Sequence, residues 1–244
     1  MESFNEEKTE LLTFKKDSHP VYPLSFGNIV LEDRKCHKHL GLIFKVTANG
    51  KDINSIIRNV TLLISCLLFF KYKLCTKTLE TMYKSFISPQ FDYADIVWDN
   101  CSGTLSNMLE NLHLEAISII AGAVKGTSHE KLYKESGFCT LKERRKRHKL
   151  LMFHKMINHH CPRYLSNLLP PLVSTTNPHH RRQPYERDIP AHKTELYANL
   201  FIPPTTQLWN TLPEIIPVNL SISLLEKRES INDTFGPYVL SLWL

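Results

Sequence analysis

Residues 53–68, INSIIRNVTLLISCLL, decide the fold class. Their apolar residues recur at intervals of three and four and share one broad face of a helix. The pattern returns at 79–87, where Pro89 is expected to end it, and again at 105–116, with Gly122 as a plausible terminator. The middle of the chain, 51–160, is therefore predicted to be a helical domain.

The residues before this domain have the shorter period of strands. Tyr22–Phe26 and Ile29–Leu31 flank Gly27-Asn28, a pair that favours the positive φ values of a tight hairpin turn. His39–Phe44 is a further apolar strand candidate. We predict a small α+β N-terminal portion, 1–50, with a short β-hairpin.

Two capping boxes follow the apolar helices. Thr127 with Glu130 predicts the start of a short helix, and Thr140 with Glu143 predicts the start of a longer one. Cations crowd the first turns of the longer helix, where they oppose the helix dipole. A phosphate partner would explain them, whereas local helix physics does not. The residues concerned are Lys142, Arg144, Arg145, Lys146, Arg147 and Lys149.

Prolines punctuate the rest of the chain. They predict an extended, loop-rich region over 161–205, within a C-terminal extension that runs to 229. Residues 230–244 are apolar without a clear period and are interpreted as a disordered or non-native tail. The predicted fold is mostly α, with four parts in chain order.

Charge is concentrated in one part of the 244-residue chain. The formal net charge is +6, but residues 125–193 contain 15 Lys and Arg against 5 Asp and Glu, which gives +10 for that stretch. A basic block of this size suits RNA or DNA, although a solvated surface would look the same. Arg144–Arg147 also fits a nuclear import signal.

The sequence gives no sign of oxidation or of a membrane span. The six cysteines include no Cys-x-x-Cys pair, the acidic start lacks the apolar core of a leader, and the most apolar run, Val60–Phe70, has 11 residues. Crossing a bilayer takes about 20 residues. We expect reduced thiols and an intracellular protein, cytoplasmic or nuclear, without a membrane partner.

Several strings along the chain resemble the end of one polymerase family. They are similar, in order, to the last palm motif, the primer-gripping hairpin, the thumb and the C-terminal region of jockey-like non-LTR (LINE-type) retrotransposon reverse transcriptases. The strings are Asn5–Glu10, Lys38–Leu42, Ile53–Ile57, Tyr83–Ile87, Phe91–Tyr93 with Val97-Trp98, Gly126–Tyr133 and Leu208–Pro213.

The resemblance implies a palm remnant over 1–50, a thumb-like helical bundle and the extension after it, without the upstream polymerase and endonuclease parts. Lys8 would match the family lysine that assists proton transfer to pyrophosphate, and His39, Leu40 and Gly41 would match the primer grip. The chain also departs from the family pattern. Asn49–Asp52 replaces an aromatic and a histidine, and Leu67–Phe70 stands where a basic turn is expected.

A polymerase needs paired carboxylates to hold two Mg²⁺ ions. The nearest imitation, Tyr93-Ala94-Asp95-Ile96, offers one carboxylate, and Asp92 is placed on a different helical face; Asp95 is expected to be a surface or capping residue. No Gly-x-Ser-x-Gly elbow or Gly-rich phosphate loop occurs. We predict no enzyme activity, no cofactor and no small-molecule substrate.

Metal binding by histidine and cysteine is weighed separately. One group consists of Cys36, His37 and His39, and the other of His154, His159, His160 and Cys161. Structural zinc sites pair ligands at short spacing on two elements, and consecutive ligands suit a tetrahedral ion poorly. We predict no metal site in either group.

The leading hypothesis is a non-catalytic remnant that keeps some affinity for RNA or primer–template. The six cations of the basic helix, with Arg181 and Arg182, would contact phosphates. Tyr185 and Trp209 are candidate stacking residues, with burial favoured for Trp209. The alternatives are an inert or interaction-only product of a decayed element, or a truncated gene model of an intact enzyme. The oligomeric state is open.

Overall fold

The computed structural model describes Glu10, Leu11, residues 24–26, 29–31, Arg34, 36–39, 42–45, 53–124, 126–176 and 185–212. The chain divides into two compact units, 1–58 and 59–244. Each unit is described by itself.

The N-terminal unit contains two antiparallel hairpins. Strand β1 (Leu24–Phe26) pairs with β2 (Ile29–Leu31), and β3 (Cys36–His39) pairs with β4 (Leu42–Lys45). The first hairpin confirms the strands predicted on either side of Gly27-Asn28. The single strand predicted over His39–Phe44 is wrong, because residues 40 and 41 separate two strands that pair with each other.

The described elements from Ile53 onward are helices, which confirms the mostly α class, and α1 (Ile53–Phe70) begins in the first unit and continues into the second. The helices are α1 (Ile53–Phe70), α2 (Thr76–Met82), a π-helical segment (Tyr83–Ile87), α3 (Ser88–Asp92), α4 (Asp95–Trp98), α5 (Gly103–Ile120), α6 (His129–Ser136), α7 (Leu141–Ile157), α8 (Arg163–Ser166), α9 (Val173–Thr176), α10 (Glu195–Ala198) and α11 (Ile202–Asn210).

Helix α1 has one buried stripe. Val60, Ile64 and Leu67 are at most 3% exposed, and their spacing of four and three places them on one face. Among the described residues, α1 is the one helix long and apolar enough to cross a membrane by length and composition, with a mean hydropathy of 1.8. The apolar helix is thus 18 residues long, longer than the 11-residue run identified in the sequence.

The helix expected to stop before Pro89 continues to Asp92. Within the π-helical segment the hydrogen-bond register shifts, so that the Ser88 N–H donates to the Tyr83 carbonyl five residues back. Pro89 then lies in the first turn of α3, where a missing N–H costs little. The register shift therefore accommodates the proline.

One of the two predicted capping boxes is confirmed. The Thr140 hydroxyl accepts a hydrogen bond from the Glu143 N–H, and the Glu143 carboxylate accepts one from the Thr140 N–H. The box predicted at Thr127 and Glu130 is wrong. Ser128 caps α6 instead, because the Thr127 hydroxyl donates to the Val124 carbonyl.

Two apolar clusters hold the C-terminal helices. Leu114, Ile117 and Leu132 join α5 to α6, and Phe153 packs against Trp209 between α7 and α11. Each fully buried side chain of this size contributes about 2 kcal/mol of transfer free energy. The region 161–205 is not simply extended: α11 begins within it, with Pro203 and Pro204 in its first turn, where proline is compatible with a helix.

Candidate nucleic-acid interface

The basic helix α7 directs most of its charge into the protein. Arg145 and Arg147 are 5% and 6% exposed, and the Arg144 side chain is 12% exposed. Lys142 and Lys146, four residues apart, are exposed on one side of the helix. The carboxylate partners of Arg144, Arg145 and Lys149 are Asp92 and Asp99, on the segment from Ser88 to Ser106.

Arg144 is held by three side chains. Its guanidinium forms an ion pair with Asp92, donates to the Ser88 hydroxyl at 2.6 Å, and donates to the Tyr83 hydroxyl at 3.4 Å. Ser88 also donates to Asp92 at 3.1 Å. A charge-assisted network of this kind orients a partly buried guanidinium and leaves little of it for an external phosphate.

Arg145 and Lys149 share one carboxylate. The Arg145 Nε donates to Asp99 at 2.6 Å, and its Nη2 donates to the Ser106 hydroxyl at 2.8 Å. The Lys149 ammonium pairs with the other Asp99 oxygen. The Arg145 guanidinium also lies 5.6 Å from the centre of the Trp98 ring, within cation–π range.

His148 completes the row of contacts. Its Nδ1 lies 2.6 Å from an oxygen of Asp95, a residue that is only 3% exposed. The other Asp95 oxygen accepts the Ile96 N–H at 2.7 Å. Of the two expected roles, surface or cap, the surface role is therefore wrong, whereas the contact with the Ile96 N–H lies in the first turn of α4. Asp92, assigned to a different helical face, also turns towards α7, because the left-handed Ala94 (φ 52°) separates α3 from α4.

These contacts correct the predicted phosphate-binding set. Arg144, Arg145 and Lys149 pair with aspartates, and Arg147 is buried, so these four do not form a surface for nucleic acid. The sequence carried a signal that was missed. Acidic residues at positions 92, 95 and 99 have helical spacing, as do cationic or titratable residues at 144, 145, 148 and 149.

A buried polar network lies next to the ion pairs. The Tyr83 hydroxyl is 2.6 Å from Nδ1 of His113, whose Nε2 is 3.0 Å from the Cys139 carbonyl. Since a carbonyl only accepts, Nε2 carries the proton and Nδ1 accepts from the phenol. Burial lowers the pKa of His113 from 6.5 to about 3 and raises the pKa of Tyr83, so both groups are neutral near pH 7.

One group of described residues has ligand atoms close enough to suggest a metal site. Oxygens of Asp92 and Asp95 and a ring nitrogen of His148 lie within 4.8 Å of one another. The Arg144 guanidinium already neutralises Asp92, and His148 is paired with Asp95. A divalent cation would have to compete with the Arg144 guanidinium for Asp92 and interrupt the contact of His148 with Asp95, so we interpret the group as a structural polar cluster.

The two groups of histidine and cysteine residues that were weighed as metal ligands have the following positions and contacts. His37 lies 2.6 Å from Glu10, and the Cys161 thiol lies 3.3 Å from the Ser166 hydroxyl. His154 contacts Asn158, and His159 and His160 are exposed. Cys36 and His39 are at the two ends of β3.

Comparison with protein-family models, curated proteins and solved structures found no match.

The remaining predicted site residues are either partly or fully buried or lie outside the described residues. Trp209 is 2% exposed, as favoured from the sequence. Tyr185 is half-buried and donates to the Leu212 carbonyl at 3.2 Å, which restricts its use as a stacking surface. The other candidates, Lys8, Leu40, Gly41, Arg181 and Arg182, lie outside the described residues.

The end of α1 also differs from expectation. Leu67–Phe70, which stand where a basic turn was expected, belong to the helix, and Lys71, Lys73 and Lys77 follow its end. Lys73 and Lys77 are exposed, and Tyr72 between the first two lysines is 89% exposed. Exposed lysines therefore follow the C-terminal end of α1.

Proposed function

We propose that this chain is a non-catalytic remnant of a LINE-type RNA-directed DNA polymerase that binds single-stranded RNA weakly through Lys142 and Lys146. Support for the origin comes from the ordered motif resemblance and from the helical class of the segment that matches the thumb. Support for the binding site comes from one observation: on α7, these two lysines are exposed while their cationic neighbours are buried in ion pairs.

The ion pairs would make α7 a rigid support. Two ammonium groups four residues apart on one helix face can meet phosphates without rearrangement of the helix. Glu143 beside them serves the cap, where its carboxylate accepts from Thr140. Two contacts predict weak affinity with a shallow salt dependence, in place of the steep one expected for six or more cations.

Titration of single-stranded RNA binding against salt tests this site. Neutralisation of two phosphates contributes about −1.4 to the slope of log affinity against log salt. The double variant Lys142→Gln, Lys146→Gln should lose that contribution, whereas Lys131→Gln, Lys134→Gln on α6 should keep it. Loss of binding in the α6 variant alone would contradict the assignment.

A primer-extension assay with Mg²⁺ tests the non-catalytic part of the proposal. We expect no nucleotide addition, because Asp92 and Asp95 are paired with Arg144 and His148 and are not free to hold two ions. Extension by purified protein would overturn it. An upstream, in-frame aromatic-Ala-Asp-Asp in the transcript would instead support the truncated-gene alternative.

A second candidate is a product that acts only through interactions. One feature favours it: Leu62, Leu68 and Phe69 of α1 are 50% to 63% exposed. Leu62 and Phe69 share one face of the helix, and large exposed apolar patches usually mark interaction sites. Absence of RNA binding at low salt would favour this candidate over the first.

A further inference from the structure

The outer side of α1 carries one charge, the exposed Arg58, near its start and none from Thr61 to Phe69. Its exposed positions between 61 and 69 are Thr61, Leu62, Ser65, Cys66, Leu68 and Phe69. Leu62 and Phe69, seven residues apart and on the same face, are each 63% exposed. The opposite face, with Val60, Ile64 and Leu67, is buried in the protein. The helix therefore has two apolar faces, and the protein covers one of them.

This geometry excludes a membrane-spanning role for α1. A spanning helix is surrounded by lipid or by other spanning elements, whereas the inner face of α1 is packed in the helical unit. Arg58 also lies within its first two turns, and a charge at membrane depth costs about 3 kcal/mol. The packed inner face and Arg58 therefore favour a position of α1 at the interface over a membrane-spanning one.

Cations follow the apolar face at its C-terminal end. Residues 53–79 contain Arg58, Lys71, Lys73 and Lys77 and no Asp or Glu, which gives the stretch a net charge of +4. The Lys73 ammonium lies 3.7 Å from the centre of the Phe69 ring, at the boundary between the apolar and basic parts. Tyr72, 89% exposed, has the amphipathic ring typical of a membrane interface.

The apolar surface extends beyond α1. An open groove of about 230 Å³ lies between α1 and the adjoining π-helical segment. Its lining is apolar, and Phe86 beside it is 59% exposed. The groove residues are Leu63, Cys66, Leu67, Met82, Phe86 and Ile87.

Charge complementarity selects the occupant. A second copy of the chain would bring one +4 stretch against another without a carboxylate between them. Single-stranded RNA would suit the lysines and Tyr72 but would leave Leu62 and Leu68 in water. An anionic bilayer satisfies both parts, because headgroup phosphates meet the lysines and the acyl boundary covers the leucines and Phe69.

We propose that the outer face of α1 and the basic segment Lys71–Lys77 dock on an anionic membrane surface. The helix lies in the plane of the interface, with the lysine ammonium groups at the headgroups. This surface is separate from Lys142 and Lys146, and its binding does not depend on that of RNA.

Flotation of the full chain with vesicles tests the proposal. Vesicles of equimolar phosphatidylcholine and phosphatidylserine should bind the protein, and pure phosphatidylcholine should bind it far less. Replacement of Lys71, Lys73 and Lys77 by Gln should weaken partition roughly 100-fold, at about fivefold for each lysine near an anionic surface. Leu62→Ser with Phe69→Ser should weaken it roughly 10-fold or more.

Matched controls use exposed residues elsewhere in the described chain. The triple variant Lys131→Gln, Lys134→Gln, Lys193→Gln removes equal charge, and Tyr164→Ser removes an apolar side chain that is 69% exposed. Both should bind vesicles as the wild type does. The proposal would be overturned by an equal loss of vesicle binding in the controls, or by vesicle binding that does not depend on phosphatidylserine. It would also be overturned if the protein bound no vesicles and replacement of Lys71, Lys73 and Lys77 instead abolished RNA binding.

Discussion

Arg145 illustrates how the surroundings of one side chain decide its role. It lies in a run of cations, yet its guanidinium contacts Asp99, Ser106 and the Trp98 ring in the interior. A buried charge is tolerated when it is paired and hydrogen-bonded, and removal of one partner leaves the other uncompensated. The residue is therefore part of the packing between α4, α5 and α7.

Substitution of Arg145 tests this structural role. Arg145→Gln should lower the free energy of unfolding by about 2 kcal/mol, because Asp99 and Ser106 lose a buried charged donor while Lys149 still pairs with Asp99. Lys146→Gln, at the next position but exposed, should change it by less than about 0.5 kcal/mol. Chemical denaturation measures both. Similar effects for the two variants would contradict the assignment of Arg145 to the interior.

His113 predicts a pH dependence of stability. Its pKa is lowered to about 3 in the folded protein by burial, whereas the ordinary value is 6.5. Below pH 6.5 the unfolded chain takes up a proton that the folded protein does not. The free energy of unfolding therefore decreases as the pH is lowered. The slope is up to about 1.4 kcal/mol per pH unit.

Denaturation between pH 7 and pH 5 measures this slope without extensive titration of carboxylates. The variant His113→Gln should lose the His113 contribution, so the difference in stability between wild type and variant should shrink as pH falls. A difference that stays constant over this range would show that His113 does not titrate as described.

At the scale of elements, α7 packs against several other parts of the helical region. Its N-terminus is fixed by Thr140 and by Glu110, whose carboxylate accepts the Leu141 N–H at 3.1 Å and also accepts from the Tyr133 hydroxyl. One side of its first turns pairs with the segment from 88 to 106, and its later turns pack against α11. The cap and the ion pairs together offset the unfavourable placement of cations at a helix N-terminus.

The two capping predictions provide a test at this scale. Thr140→Ala should cost about 1 kcal/mol of unfolding free energy, because the Glu143 N–H loses its acceptor. Thr127→Ala should cost much less, since Thr127 lies one residue before the true cap of α6. Urea denaturation measures the free energy of unfolding of both variants. Equal losses would mean that the capping hydrogen bond of Thr140 does not stabilise the protein.

At the scale of the whole molecule, the core lies in the helical part. Every buried hydrophobic residue in the described chain falls between Ile53 and Leu212. A polypeptide limited to residues 53–212 should therefore keep its helical circular dichroism and unfold cooperatively. Loss of the cooperative transition would show that residues outside this range are needed for the fold.

The sequence alone determined the helical class, the first hairpin and the cap at Thr140, because periodicity, turn residues and capping act between near neighbours. It also favoured burial of Trp209. The partners of the α7 cations, the burial of Asp95 and the passage of a helix through Pro89 were decided by tertiary structure. Residues 92–99 and 144–149 lie about fifty positions apart, so the helical spacing of charges within each segment does not identify the other segment as its partner. The spacing of charges specified a cationic helix, and only the packing of α7 against α3 and α4 determined which of its charges reach solvent.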